Sequence, residues 1–163
     1  MPHETLIRPE RADQADVQAL LGALDRYLES LYPPQANHLL DVQALLAPEV
    51  HFLVARADGQ AVGTAAFRRM QGEPATGGLP YGEIKRMYVD PAYRGERIAA
   101  RMLSALESRL RAEGYTQALL ETGPEQGDAV RLYERCGYEL RPAFAGYPEQ
   151  GASVYYGKAL SPL

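Results

Sequence analysis

Apolar residues recur at three- and four-residue intervals in two long stretches of the chain, and this spacing predicts two amphipathic helices. The first helix can be capped by Asp13 or by the polar residues around it and is stopped by Pro33-Pro34. Its apolar stripe consists of Val17, Leu20, Leu21, Leu24, Leu28 and Leu31. The second helix carries Ile98, Met102, Leu106 and Leu110 on its buried stripe and ends at Gly114.

Two shorter helices are predicted from briefer patterns of the same kind. One covers residues 39–46 and ends before Pro48. The other covers residues 128–136 and is closed by Gly137. The four helices therefore fall into two pairs, one near the start of the chain and one in its second half.

Strand-like sequence fills most of the remaining chain. HFLVARADGQAVGTAAF reads as two strands joined at Asp58-Gly59, a strong short hairpin signal. A loop rich in glycine and proline, residues 71–80, then leads into a strand over residues 81–89. The other predicted strands cover residues 5–8, 116–121, 138–141 and 152–160.

The element order is therefore β, α, α, β, β, β, α, β, α, β, β, with no internal repeat and no long linker. The short apolar run TQALLE follows a helix, and this is consistent with a strand parallel to residues 81–89 across a helical crossover. A chain of 163 residues builds one domain with a real core. We expect a single α/β domain over residues 1–163 with a mixed sheet.

Composition and charge narrow the class of protein. The chain is 46% hydrophobic and 23% charged, which is typical of a globular domain rather than a disordered one. Its net charge is −4, so we expect no general attraction to nucleic acid or to an anionic membrane. No apolar run approaches the roughly 20 residues that span a bilayer, and the first residues lack the pattern of a signal peptide. These features predict a cytoplasmic protein.

Cysteine and histidine usage excludes several kinds of site. Cys136 is the only cysteine, so no internal disulfide forms, and it is expected to pack as a small apolar side chain. The histidines His3, His38 and His51 are far apart and show no metal-ligand spacing. We therefore expect no metal.

The segment DPAYRGERIAARML, between a predicted strand and a predicted helix, is a candidate anion site. The free N–H groups and the dipole of a helix N-terminus favour an anion. Arg94 and Arg97 would add charged donors, and Gly95 lets the backbone approach closely. Arginine and glycine also occur in plain solvated turns, so this segment alone leaves both interpretations open.

Tyr133 and Glu83 are candidates for proton transfer. The parallel strands should open at one rim of the sheet, where ligands bind in open α/β sheets, and the helix carrying Tyr133 follows one of them. Taken by itself, Tyr133 reads as a half-buried packing tyrosine. Glu83 lies inside a predicted strand, where a carboxylate is unusual, and is either paired across strands or a base at the floor of the crevice.

Two segments together resemble the GNAT superfamily of acyl-CoA-dependent N-acetyltransferases. They are EIKRMYVDPAYRGERIAARML and LLETGPEQGDAVRLYERCGY, and their order matches the family's paired motifs. The resemblance implies a central, mostly antiparallel twisted sheet with helices on both faces and a parallel pair at the crevice. It also implies acetyl-CoA as co-substrate and direct transfer to an amine in a ternary complex.

The resemblance places roles on particular residues. The loop that holds the pyrophosphate of coenzyme A looks like Arg94, Gly95, Glu96, Arg97, Ile98 and Ala99. Backbone groups of Met87, Tyr88 and Val89 match the segment that pairs with pantetheine and supplies an oxyanion donor beside a bulge. Gln126 stands where many members have an asparagine that contacts the cofactor. Tyr133 matches the acid, a phenol near its ordinary pKa that loses little by protonating the thiolate, and Glu83 matches a base used directly or through water.

The chain departs from the family pattern at Arg97, which replaces the central glycine of the loop. Because the neighbouring residues look helical, we expect no positive φ there and retained coenzyme binding. The acceptor would be a primary amine of a small molecule or peptide, near residues 30–35 and 143–153, with Tyr32, Tyr147 and Arg68 as candidates. The alternative is a non-catalytic acyl-CoA-binding module of the same fold, and a homodimer is possible in either case.

Overall fold

Seven strands and four α-helices occupy the part of the chain that the computed structural model describes, residues 4–32 and 40–162. The strands are β1 (Thr5–Pro9), β2 (Val50–Ala57), β3 (Gln60–Met70), β4 (Tyr81–Val89), β5 (Gln117–Thr122), β6 (Glu139–Arg141) and β7 (Val154–Ala159). The helices are α1 (Ala15–Leu31), α2 (Val42–Leu45), α3 (Ile98–Ala112) and α4 (Gly127–Arg135). Two short 3-10 turns, Pro74–Thr76 and Pro91–Tyr93, flank β4. The predicted element order is confirmed.

The seven strands form one sheet in the order β1-β2-β3-β4-β5-β7-β6. Each neighbouring pair is antiparallel except β4 and β5, which are parallel and are connected through α3. Their ladder has only three residue pairs, Gly82 with Ala118, Glu83 with Leu119, and Ile84 with Leu120. The predicted parallel crossover is therefore confirmed, and β4 continues for five residues beyond its last pairing with β5.

Helices cover both faces of this sheet. Along β2, Phe52 and Val54 belong to a buried cluster with residues of α1, whereas Leu53 and Ala55 belong to a cluster with residues of α3. This alternation follows from the two-residue period of a strand, which sends successive side chains to opposite faces. The predicted arrangement of helices on both faces is confirmed.

The predicted helix boundaries near the start of the chain need correction. α1 begins at Ala15, so the cap position falls on Gln14, a polar neighbour of Asp13, although no side chain makes a capping hydrogen bond there. Asp13 itself is paired with Arg11. The second helix is shorter than predicted because Asp41 caps it, accepting a hydrogen bond from the backbone N–H of Ala44 at 2.8 Å. Leu39 and the stop signal Pro33-Pro34 lie outside the described residues.

The hairpin at Asp58-Gly59 is confirmed. Both residues have left-handed backbone angles, with φ of 50° and 86°. This geometry is that of the two-residue turn whose twist matches the flanking strands, and it is why the Asp-Gly pair is favoured there.

Close packing of α3 against β4 gives the first testable prediction. A Cβ atom at Gly82 would lie 2.4 Å from Cδ2 of Leu110, whose side chain is fully buried. We expect Gly82→Ala to lower the free energy of unfolding by about 1–3 kcal/mol, measured by urea denaturation. Gly151→Ala is the matched control, because its added methyl would meet nothing closer than 3.7 Å. Equal stability of the two variants would contradict this packing.

Candidate active site

A cleft of about 670 Å³ opens beside the ends of β4 and α4. Its walls come from α1, from the last residues of β4, from the turn before α3 and from α4. A smaller pocket of about 100 Å³, here called the inner pocket, adjoins it. Leu24, Met87 and Gln126 line both cavities, so the two lie side by side and share part of a wall. A long ligand in the cleft would therefore have its end beside the inner pocket.

A bulge in β4 shapes the shared wall. Thr64 pairs with Tyr88 but Ala66 pairs with Lys85, so β4 carries one residue more than β3 in this interval. Arg86 lies at the bulge with φ of 55°, and its carbonyl accepts a hydrogen bond from Oγ1 of Thr64 at 2.8 Å. A bulge turns part of a strand out of its ladder, and Met87, Tyr88 and Val89 directly follow and line the cleft.

The side chain of Arg86 fixes this bulge to α1. Its guanidinium forms an ion pair with Asp25 and donates a hydrogen bond to the carbonyl oxygen of Leu40 at 2.9 Å. The arginine is buried, so these partners satisfy a charge that would otherwise be costly to desolvate. The left-handed conformation costs a non-glycine residue about 1–2 kcal/mol, and the buried contacts hold it in place.

The turn before α3 contradicts one expectation about Arg97. Gly95 and Arg97 both have left-handed backbone angles, with φ of 88° and 60°. Arg97 is the residue that precedes the helix, where the chain must change direction, so it lies outside the helical pattern that suggested no positive φ. The expectation was wrong: this position has the backbone conformation that glycine adopts without strain.

Nine of the ten predicted cofactor-binding residues line the cleft. They are Met87, Tyr88, Val89, Arg94, Gly95, Arg97, Ile98, Ala99 and Gln126. Glu96 lies in the same turn but is not among the lining residues that the structure describes. Arg94 is anchored by a hydrogen bond from its Nε to the carbonyl oxygen of Val89 at 3.2 Å.

Tyr133 lies on α4 and faces the inner pocket. Only 6% of the residue is exposed, and its ring packs edge-on against Tyr138 at 5.9 Å between centroids. Its hydroxyl has no hydrogen-bond partner among residues 4–32 and 40–162. Burial raises the pKa of Tyr133 above its ordinary value of 10.0, so the phenol stays neutral and able to donate a hydrogen bond. The expectation of a phenol near its ordinary pKa was wrong, because the residue is more deeply buried than the sequence indicated.

Glu83 is fully buried within a charged cluster. Its carboxylate contacts the guanidinium of Arg68 at 3.1 Å, the ammonium of Lys85 at 3.1 Å and the hydroxyl of Tyr147 at 2.8 Å. Lys85 also donates to the Tyr147 hydroxyl at 2.9 Å, and it lines the inner pocket. Glu83 is not among the described residues that line either cavity. Glu83 therefore contacts a residue that lines the inner pocket but does not line the pocket itself, so it does not lie at the floor of the crevice.

Burial and the neighbouring carboxylate raise the pKa of Tyr147 well above its usual range. Tyr147 and Arg68 were candidates for the acceptor side, but both contact Glu83 and neither is among the described residues that line the inner pocket. Ser153, from the second segment proposed for the acceptor, does line it.

The sequence analysis missed Glu121, which lines the inner pocket with Tyr133. Glu121 lies near the end of β5, and one carboxylate oxygen accepts a hydrogen bond from Oγ of Ser153 at 2.8 Å. A signal for it was available, because a carboxylate at the C-terminal end of a parallel strand lies at the rim where ligands bind. Glu121 therefore joins Tyr133 as a titratable group beside the inner pocket.

Tyr32 forms a wall of the inner pocket in tight contact with the loop after β5. A Cβ atom at Gly123 would lie 1.6 Å from the Tyr32 hydroxyl oxygen, so this contact requires glycine. Residues 33–35 of the turn proposed for the acceptor side lie outside the described residues.

In the described ranges, no group of three or more His, Cys, Asp or Glu side chains is placed to hold a metal ion. No α-helix in those ranges combines the length and the apolar character needed to cross a bilayer.

The backbone of Arg97 gives the second prediction. Arg97→Gly removes the left-handed strain but adds freedom to the unfolded chain, so we expect a net gain of about 0.5–1 kcal/mol in the free energy of unfolding. Thermal denaturation measures it. Arg97→Ala is the control, because it shortens the side chain and keeps the strain, and should leave stability unchanged. A loss of stability in the glycine variant would show that the arginine side chain holds the turn.

Comparison with known proteins matches this geometry to one family. The profile of the Acetyltransferase (GNAT) family covers residues 17–138. The IAA acetyltransferase of Azospirillum brasilense is 42% identical over 98% of this chain and 100% of its own length. A crystal structure assigned as an acyl-CoA N-acyltransferase from Klebsiella pneumoniae is 34% identical, with a TM-score of 0.76 over 97% of this chain and 99% of its own.

A more distant neighbour shares the fold alone. The PaiA N-acetyltransferase of Thermoplasma acidophilum, crystallised in complex with coenzyme A, is 14% identical, with a TM-score of 0.69 over 96% of this chain and 99% of its own. The profile match spans most of the chain, and the Azospirillum relative aligns along nearly all of it. The protein belongs to the GNAT family and is an acetyltransferase.

Proposed function

We propose that the protein transfers the acetyl group of acetyl-CoA to a primary amine of a small molecule or peptide, by direct attack in a ternary complex. One observation carries the proposal: the buried phenol of Tyr133 lines a small pocket that adjoins a long cleft. A coenzyme seated in the cleft would bring its thioester to the phenol, and an amine would enter from the α1 side. A non-catalytic acyl-CoA-binding module would not need a phenol and a carboxylate beside the inner pocket.

The coenzyme's pyrophosphate would be held at the turn before α3. Free N–H groups at the start of a 15-residue helix, together with its dipole, favour an anion there. Arg94 and Arg97 add guanidinium donors on the same wall. The pantetheine arm would run along Met87, Tyr88 and Val89 toward the inner pocket.

The amine must lose a proton before it attacks. A lysine-like ammonium has a pKa near 10.4, so at neutral pH its deprotonation costs about 4–5 kcal/mol. Glu121 faces the inner pocket, and we propose that it accepts this proton directly or through water. Glu83 would act at one remove, by holding Lys85 and Tyr147 in position beside the pocket.

The nitrogen lone pair then attacks the thioester carbon to form the C–N bond. The nitrogen of this tetrahedral intermediate loses its second proton to solvent, and the C–S bond breaks as the intermediate collapses to the amide and the thiolate. A backbone N–H in the segment after the bulge would stabilise the oxyanion. The coenzyme thiolate has an ordinary pKa near 8.5, below that of the buried phenol, so complete proton transfer from Tyr133 is unfavourable. Tyr133 would therefore stabilise the departing thiolate mainly by donating a hydrogen bond, and solvent would complete its protonation.

Tyr133→Phe tests this role. We expect kcat to fall about 10-fold or more, because the hydrogen bond to the leaving thiolate is lost while ring packing is kept. Thiol release from acetyl-CoA with an amine acceptor measures it. The raised pKa keeps the phenol protonated to above pH 10. Plots of kcat against pH for the wild type and the variant should therefore have the same shape on the alkaline side up to that pH. An unchanged kcat would remove Tyr133 from the chemistry.

Paired substitutions separate the two carboxylates. Glu121→Gln should lower kcat/KM at neutral pH by about 100-fold, and the deficit should shrink at higher pH, where solvent supplies the neutral amine. Glu83→Gln removes the charge of a fully buried carboxylate and leaves Arg68 and Lys85 underpaired, so it should lower the free energy of unfolding by about 3 kcal/mol, and higher pH should not restore its activity.

Glu139→Gln, an exposed change on β6, is the control for both measurements. The opposite pattern, in which high pH rescues Glu83→Gln and not Glu121→Gln, would assign the base to Glu83.

We propose a cytoplasmic enzyme that acts on a small or peptidic amine without nucleic acid or membrane, as a monomer or a homodimer. The inner pocket of about 100 Å³ supports an acceptor whose reactive end is slender. A panel of primary amines, with IAA added because the Azospirillum relative's name carries it, would identify the acceptor by thiol release.

A further inference from the structure

We propose that Arg131 and Arg135 on α4 form a subsite for the 3′-phosphate of coenzyme A, so that the enzyme discriminates the coenzyme from its dephospho form. This inference rests on the proposed function, since it assumes that acetyl-CoA occupies the cleft. It assigns residues that the sequence motifs did not mark.

The cleft is strongly basic although the chain carries a net charge of −4. Among the described residues that line it, four are arginines and one is acidic: Arg94, Arg97, Arg131, Arg135 and Asp128. Clustering cations in one concave surface of an acidic protein favours an anionic ligand there. The amount of positive charge exceeds what a diphosphate group alone requires.

The four arginines belong to two separate elements. Arg94 and Arg97 lie in the turn before α3, where the helix N-terminus supplies a seat for the pyrophosphate. Arg131 and Arg135 lie on α4, four residues apart, which places them on one face about 6 Å apart along the helix axis. Two like charges at this spacing repel each other, and a bound anion would remove the repulsion.

The two α4 arginines differ in what holds them. Arg131 forms an ion pair with Asp128 one turn earlier, which orients its guanidinium along the helix. Arg135 is exposed and forms no ion pair within the described residues. A phosphate with two negative charges would bridge them by charge-assisted hydrogen bonds. In coenzyme A, the one such group apart from the pyrophosphate is the 3′-phosphate of the ribose.

The test compares coenzyme A with 3′-dephospho-coenzyme A. Calorimetry gives both dissociation constants, and thiol release gives KM and kcat for the two acetyl derivatives. We expect the wild type to bind the 3′-phosphorylated form about 10-fold more tightly, the effect of one good charge-assisted contact. Arg131→Gln and Arg135→Gln should each reduce this ratio, and the double variant should bring it close to 1. Binding of the dephospho form and kcat at saturation should stay unchanged.

Arg111→Gln is the control, because it removes a positive charge from α3 outside the cleft and should keep the 10-fold ratio. A wild-type ratio near 1 would overturn the inference, and so would an equal loss of affinity for both ligands in the α4 variants. Either result leaves the proposed function standing. A wild type that binds neither ligand would overturn the proposed function and this inference with it.

Discussion

The short contact between β4 and β5 is the constraint on which the site depends. Parallel strands pair over only three residues, and beyond them β4 is bulged at Arg86 while β5 ends at Thr122. A longer ladder would satisfy the backbone of both strands but would close the sheet across the region that the cleft and the inner pocket occupy. The ladder between the parallel strands β4 and β5 therefore stops short and leaves an opening in the sheet. The helices that follow these strands, α3 and α4, begin at that opening.

Buried charge stabilises the surroundings of this opening. Arg86 is paired with Asp25 of α1, and three residues earlier in β4, Glu83 holds Arg68 and Lys85. A second buried carboxylate, Glu107 on α3, accepts hydrogen bonds from Tyr138 at 2.8 Å and Lys158 at 2.9 Å and so links α3 to β7. Breaking one partner of such a buried pair is costly, so these contacts fix the relative positions of the elements rather than simply adding stability.

The sequence predicted the elements and their order because burial imposes a period of 3.6 residues on helices and of two on strands. It also predicted the position of the cleft, since the parallel crossover marks the sheet rim where helices begin. The left-handed conformation of Arg97 escaped prediction because periodicity reports which side chains are buried and not the backbone handedness of one residue. Glu121 and Glu83 both lie in strands, and which of them reaches the pocket depends on the register between β4 and β5, which the sequence does not contain.

The contact between Tyr32 and Gly123 has a consequence for the pocket in which we propose that the acceptor binds. The hydroxyl of Tyr32 occupies the space where any larger residue at position 123 would begin, so the loop after β5 tolerates no side chain while the tyrosine remains. Exchanging Tyr32 for a smaller residue would enlarge the pocket in a single step, whereas narrowing it at position 123 would first require the loss of the tyrosine. Divergence toward bulkier acceptors is therefore the easier evolutionary direction from this starting point.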